Sequence, residues 1–441
     1  MNYKNQYQRK AHREVDFIFL TLLPQAGLSV REEQVKLSHQ MLDALLEGNI
    51  ALCDAGVGIG KTYAYLVACI LMRKYVAATG NGWLCDKRPI VISTSSIALQ
   101  EAIIQEYIPF LSDVFLSAGL IGSPLKAIVR KGKEHFVCDE RLGVRLEAVR
   151  EKPKNELQKK ALFSLKQIYD MDEVPNLSSF DRRLVCVPKF CPKECPGRTS
   201  CRYQMYLKQA RDPDIFFQIC NHNYLLADSS HRAKDYKPLL TDYRALIVDE
   251  AHKLPEAARQ MYGKSLCYED ILEICYFLER EHQGMAAKKL KSVFHNLFHV
   301  VRENYMAKGG PASAFHMTEE CATVLEEGKA LLKELTGKLR GVAPGWIRNQ
   351  LEEAGEVLSI FSGSGKRYIL HLEQDKGKLP QLCATSRKIP DILSGVLWSQ
   401  GFPAILTSGT LKAGNGFSRT RQENGLGKEI RVMEYVAESP F

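Results

Sequence analysis

The chain has 441 residues, 45% hydrophobic and 25% charged, a balance that excludes disorder and a disulfide miniprotein and suggests about three folding units. Lys and Arg outnumber Asp and Glu by 60 to 51, a net charge of +9. No apolar run approaches the roughly 20 residues that span a bilayer, and the stretch 17–23 is too short for a signal sequence, so a cytoplasmic protein with no membrane partner is expected.

Taken in chain order, the first signal is a helical stretch over 34–46. It is followed by the apolar, β-rich run Asn49-Ile50-Ala51-Leu52-Cys53. That run leads into Ala55-Gly56-Val57-Gly58-Ile59-Gly60-Lys61-Thr62, a phosphate-loop pattern with Ala in the leading glycine position, and a helix over 62–75 follows. Glycines at 56, 58 and 60 let backbone N–H groups converge on phosphate oxygens at a helix N-terminus. Lys61 would reach the β- and γ-phosphates, and the Thr62 hydroxyl would ligate Mg²⁺.

A second run, Pro89-Ile90-Val91-Ile92, ends in Ser93-Thr94-Ser95-Ser96. Beyond it, residues 121–212 hold 20 Lys/Arg against 12 Asp/Glu, which is eight of the nine net positive charges. Such a local excess fits a polyanion partner or a solvated face. Phe136, Phe163, Tyr169, Phe180, Phe190, Tyr203 and Tyr206 are interleaved with these cations and are expected to offer stacking surfaces to unpaired bases.

The same segment concentrates cysteine. Of 13 in the chain, Cys53, Cys69, Cys85, Cys220, Cys267, Cys275, Cys321 and Cys383 are scattered. Cys138, Cys186, Cys191, Cys195 and Cys201 fall close together, and an odd total argues against a fully paired secreted framework. Four thiolates from one insertion can hold tetrahedral zinc or a [4Fe–4S] cluster, and spacing alone does not separate the two.

A third β-rich run, Arg244-Ala245-Leu246-Ile247-Val248, ends in Asp249-Glu250-Ala251-His252. Asp249 is positioned to hold Mg²⁺, Glu250 to orient or deprotonate an attacking water, and His252 to couple nucleotide state to the rest of the protein. Residues 254–390 are rich in Leu, Glu and Lys with amphipathic spacing, which predicts a mostly helical insert. The sheet resumes at Pro403-Ala404-Ile405-Leu406-Thr407. Strands alternating with helices predict a parallel α/β sheet with its chemistry at the carboxyl ends of the strands.

Together these motifs resemble the DinG/XPD group of superfamily 2 helicases, the DinG branch in particular, from about residue 30 to the end of the chain. Arg31-Glu32-Glu33-Gln34 resembles the nucleotide-sensing glutamine motif, which implies that Gln34 reads adenine. The 93–100 stretch resembles the DNA-contacting motif, 131–138 the stretch around the first cluster cysteine, 221–225 the segment before the acidic (DEAH) box, and Thr407-Ser408-Gly409-Thr410-Leu411 the motif that links hydrolysis to strand movement.

The resemblance implies a RecA-like phosphate-loop domain over 1–137, continued over 213–253 and resumed over 391–441. It further implies an iron–sulfur insert over 138–212 with Cys138, Cys191, Cys195 and Cys201 as [4Fe–4S] ligands, Cys186 being the alternative, and a helical arch over 254–390. It also implies ATP hydrolysis driving 5′–3′ movement on single-stranded or forked DNA, with DNA repair as the cellular setting, and coupling through Ser408 and Thr410.

Val57 and Ile59 stand where the family loop has threonines, and Gly409 stands for its alanine. The N-terminal nuclease domain of some relatives and the second motor domain are both expected to be absent. An ATP site would then be completed by a separate chain supplying helicase domain 2, or this chain would be a non-catalytic module that binds ATP and single-stranded DNA.

Overall fold

The computed structural model describes residues 6–75, 87–150, 156–188, 191, 194–306, 312–342, 345–363, 367–374, 378–414 and 416–438. Cys85, Phe190 and the last three residues lie outside them. In chain order the described strands are β1 (Ile50–Ala55), β2 (Ile90–Thr94), β3 (Lys126–Arg130), β4 (Ile215–Cys220), β5 (Ala245–Asp249), β6 (Lys264–Leu266), β7 (Ala312–Ala314), β8 (Tyr368–Glu373), β9 (Gln381–Ser386), β10 (Ala404–Ser408) and β11 (Val432–Ala437). The chain divides into two units: Met1–Leu254 with Leu393–Phe441, and Pro255–Ile392.

The first unit is built on a seven-stranded sheet in the order β11-β1-β10-β5-β2-β4-β3, and every neighbouring pair is parallel. This is the doubly covered α/β sheet that the alternating pattern predicts, and its central strands read as continuous apolar runs because both faces are packed. Ala51, Leu52, Ile90, Ile92, Leu246, Ile247, Ile405 and Leu406 are all fully buried. Each such Leu or Ile stabilises the fold by roughly 2 kcal/mol through removal from water.

The helix Glu32–Glu47 carries Gln34 and packs on the helix Lys61–Lys74. It ends where Gly48 takes φ 75°, the left-handed turn that closes a helix and releases the chain into β1. A histidine pair ties it to the preceding helix Gln6–Phe17: His12 Nδ1 and His39 Nδ1 are 2.7 Å apart, and each Nε2 lies 2.8 Å from a carboxylate, Asp43 and Asp16 respectively. Gln34 is thereby held on a helix fixed from both sides.

Strands β3 and β4 are neighbours in space, yet 84 residues separate Arg130 from Ile215 in the chain. The basic, cysteine-bearing segment fills that connection with the helices Asp139–Arg150, Glu156–Ser164 and Ser179–Val185, packed around Leu142, Leu162, Leu165, Met171 and Val185, and the helix Arg202–Gln209, which packs on Phe136 and Val187.

The second unit holds four long helices, Tyr268–Arg280, Gly284–Met306, Glu319–Lys338 and Gly345–Ser362, and a four-stranded antiparallel sheet in the order β6-β9-β8-β7. The helices dominate, while the sheet goes beyond the expected helical insert. Its core joins Leu290, Phe294, Phe298, Leu325, Leu351 and Phe361 from the helices to Leu372 and Leu382 from the sheet. No helix among the described residues is long and apolar enough to cross a membrane.

Candidate active site

Because β1, β10 and β5 are adjacent and parallel, the motifs that follow them emerge along one edge of the sheet. Between Ala55 and Lys61 the chain turns through Gly58 and Gly60, both at φ 87°. Gly60 has a second constraint, since a Cβ there would sit 2.0 Å from Gln34 Nε2. The Gln34 amide donates to the Gly60 carbonyl at 2.8 Å, and Arg31 donates to the Gly58 carbonyl. Gln34 is therefore placed against the loop, its amide N–H occupied by loop backbone. Lys61 Nζ donates to the Ala55 carbonyl at 3.0 Å, which poises the ammonium over the mouth of the loop. Of the two departures in the loop, Ile59 is buried core while Val57 is exposed, so only the first alters packing.

Asp249 closes β5 and is 1% exposed. Its Oδ1 accepts the Glu250 backbone N–H at 2.9 Å and its Oδ2 accepts the Tyr65 hydroxyl at 3.3 Å. Burial pushes its carboxyl up to about 6, opposed by the Glu250 N–H and the Lys61 charge. Thr62 opens the same helix as Tyr65, so the two expected Mg²⁺ ligands, Thr62 and Asp249, lie on either side of this phenol. A carboxylate at the strand end beside the loop supplies the hard oxygen that a divalent cation takes as ligand. Tyr65 carried no motif signal, although its position one helical turn beyond Lys61 places it under the same loop.

Glu250 takes φ 52°, a left-handed conformation that an ordinary side chain adopts at a cost of about 1 kcal/mol. That turn sends its carboxylate off the end of the strand toward β10. Ser408 Oγ, 1% exposed, donates to Glu250 Oε2 at 3.2 Å, and His252 Nδ1 lies 2.7 Å from the same oxygen of Ser408. Thr410 Oγ1 is 3.4 Å from Ser408. Register explains the meeting: Ser408 pairs with Asp54 of β1, and Thr407 with both Cys53 and Asp249. A Cβ at Gly409 would meet Ala55 O at 3.5 Å, ordinary contact, so the family's alanine would fit the same space.

A further buried contact was not legible in sequence. His222 Nδ1 is 2.7 Å from Ser93 Oγ, both residues being buried, and the Glu250 backbone lies close enough to act on the imidazole. Burial pulls His222 down to about 4, below the ordinary value near 6.5. The unfolded chain then takes up the proton first. This contribution to stability is whole above pH 6.5 and drains as pH falls through 4, by about 3 kcal/mol. His222→Gln is expected to flatten the acid arm of urea melts run at pH 7 and 4.5. An undiminished loss in the variant would assign the acid sensitivity to other groups.

In the cysteine-bearing insert, Cys138, Cys191, Cys195 and Cys201 are free and at least partly exposed, whereas Cys53, Cys69 and Cys220 are fully buried filler. Burial, then the charge of Cys138, pushes the Cys191 thiol up, with Cys201 and Cys195 adding to it and Lys133 opposing. Cys186 instead directs its thiol to the Arg183 carbonyl at 3.5 Å. Four thiols in one insert, free of disulfides, suit a thiolate-bound cluster or metal in donor chemistry. Among the described residues, the one trio of donor atoms lying within 4.8 Å of one another is elsewhere, at His371, Glu373 and Cys383.

The aromatic expectation needs correction. Phe136 and Tyr206 are 2% and 4% exposed, and they pack with Tyr169 and Tyr203 at ring separations of 4.5 to 6.1 Å. They form a small core under Cys138 in which Phe136 and Tyr206 are too buried to receive bases, while Tyr169 and Tyr203 are partly exposed. Phe163 and Phe180 remain exposed, with Lys166 and Arg145 set 5.3 Å from their ring centres. The basic excess is also partly spent internally: Lys131, Arg145, Arg182 and Arg202 pair with Asp170, Asp181, Asp172 and Asp139.

No family model matches the sequence. The chain is 22% identical to the ATP-dependent DNA helicase YoaA of Haemophilus influenzae, over 94% of this chain and 64% of that protein. It is 23% identical to the probable ATP-dependent helicase YpvA of Bacillus subtilis, over 99% of this chain and 69% of that protein. It is 27% identical to the 3′-5′ exonuclease DinG of Bacillus subtilis, over 61% of this chain and 27% of that protein. The chain thus spans between about a quarter and two thirds of these relatives' length. A solved structure of a truncated XPD aligns with a TM-score of 0.45 at 14% identity, covering 91% of this chain and 98% of that one.

Proposed function

The chain is a relative of the DinG/XPD group of superfamily 2 helicases, and from that premise we propose that it binds Mg-ATP at the loop 55–62 and couples its hydrolysis to 5′–3′ movement on single-stranded DNA. Gly56, Gly58, Gly60 and Lys61 hold the phosphates, Gln34 reads the base, and Thr62 and Asp249 hold Mg²⁺, whose charge would neutralise the developing negative charge on the phosphates. Glu250 positions and deprotonates the attacking water. His252, Ser408 and Thr410 carry the resulting change into the neighbouring strand. Cys138, Cys191, Cys195 and Cys201 would hold a [4Fe–4S] cluster, which would lend its insert a rigid staple.

The observation that carries this reading is the contact of Ser408 with both Glu250 and His252, since it ties the hydrolytic carboxylate to the strand motif beside the loop. A glycine-rich turn alone would serve a binding protein equally well. A hydroxyl shared between the acidic box and β10 gives hydrolysis a direct route to the neighbouring strand.

The test is ATP hydrolysis by the anaerobically purified chain with and without single-stranded DNA, with Lys61→Ala as the blank. Turnover stimulated by DNA and lost in Lys61→Ala is the expected result. Nucleotide affinity unaltered by Lys61→Ala would refute the assignment of the loop. Tight binding of ATP and DNA without turnover would favour the non-catalytic binding module, or a site that a separate chain completes.

A further inference from the structure

The second unit holds a cluster that the nucleotide reading does not use. Side chains alternate across a strand, so residues two apart share a face and residues paired across two strands join them there. On β8, Leu370 and Leu372 point to the helical core, while Ile369, His371 and Glu373 occupy the other face. On β9, Leu382 and Ala384 face the core, and Gln381, Cys383 and Thr385 face away. The register pairs His371 with Cys383. One imidazole, one thiol and one carboxylate are thereby gathered at adjoining positions of one sheet face.

Their donor atoms all lie within 4.8 Å of one another, and His371 Nε2 is 3.1 Å from Glu373 Oε1. We infer that His371, Glu373 and Cys383 form a binding site for a zinc-class divalent cation. Bonds of about 2.0–2.3 Å arranged tetrahedrally separate ligand atoms by roughly 3.5 Å, so small side-chain rotations close the trio around a metal. A thiolate and a carboxylate neutralise a doubly charged ion. The thiolate selects against Mg²⁺ and Ca²⁺, which prefer oxygen, and a lone cysteine cannot hold an iron–sulfur cluster. Three protein ligands leave one tetrahedral position for water. Backbone pairing fixes the Cα positions of all three, which limits the ordering cost of binding to the side chains.

This inference stands apart from the nucleotide reading, and its test reads metal alone. The chelator-stripped chain is titrated with Co²⁺, followed by its thiolate-to-cobalt charge-transfer absorption, and the cobalt is then displaced with Zn²⁺. One equivalent that disappears in Cys383→Ser is expected. Because the insert cysteines would also take up cobalt, the comparison is repeated in a Cys195→Ser background, where the Cys383-dependent equivalent should persist. Glu373 is 57% exposed in its side chain, so Glu373→Gln leaves the fold intact and is expected to weaken this equivalent by about tenfold or more. Identical stoichiometry and spectra in wild type, Cys383→Ser and Glu373→Gln would overturn the site.

Discussion

Glu250→Gln is expected to lower ATP turnover by about 10²- to 10⁴-fold while leaving Mg-ATP affinity nearly unchanged, the span that a positioned general base contributes. The amide keeps the length of the side chain and can still accept from the Ser408 hydroxyl, so the contact at 3.2 Å survives. It removes the basic oxygen that takes the proton of the attacking water. Asp249, which the backbone N–H of residue 250 and Tyr65 hold in place, is untouched by the change. Nucleotide binding read by fluorescence titration and hydrolysis read in a single turnover separate the two effects. A variant that hydrolyses ATP at the wild-type rate would remove Glu250 from the chemistry. A variant that loses binding would instead show that the strained turn at φ 52° depends on the carboxylate.

The contrast between Glu250 and Tyr65 explains what a sequence can disclose here. Glu250, Lys61 and Ser408 stand at the ends of apolar strands inside short polar motifs, because parallel sheets put their chemistry where strands stop. Local pattern and function coincide at those positions. Tyr65 lies mid-helix among apolar residues, and only the folded packing turns its hydroxyl toward Asp249. The Ser93–His222 contact spans 129 residues and two motifs, so no local period announces it.

Strand β3 carries no such signal, for a related reason. Lys126-Ala127-Ile128-Val129-Arg130 is short and flanked by charge within a basic segment, and its strand character comes from pairing with β4. In the second unit, β6 and β7 have three residues each, too few for an alternating pattern to register. Phe136 and Tyr206 show the opposite failure. Aromatic residues among cations fit a base-stacking surface by composition, but the insert uses these two rings as core.

The second large effect is the loss of iron in Cys195→Ser. The insert's inner core beneath Cys138 contains just Phe136, Val187 and Tyr206 as buried members, with Tyr169, Tyr203 and Leu207 partly covering them. The rest of the insert packs separately around Leu142, Leu162, Leu165, Met171 and Val185, so a bound cluster would chiefly order the region around Cys138. The wild-type chain is therefore expected to carry about four irons and to absorb in the visible, and Cys195→Ser to carry almost none. Nucleotide affinity should persist, because the loop 55–62 rests on the separate core of β1 and the helices Glu32–Glu47 and Lys61–Lys74. Affinity for single-stranded DNA should fall, and proteolysis should cut first within 131–214. Cys186→Ser is the matched control, since its thiol is already engaged by the Arg183 carbonyl. Iron retained in Cys195→Ser but lost in Cys186→Ser would exchange the two ligands. Iron absent from the wild type, with zinc in its place, would leave the fold of the insert explained and the cluster refuted.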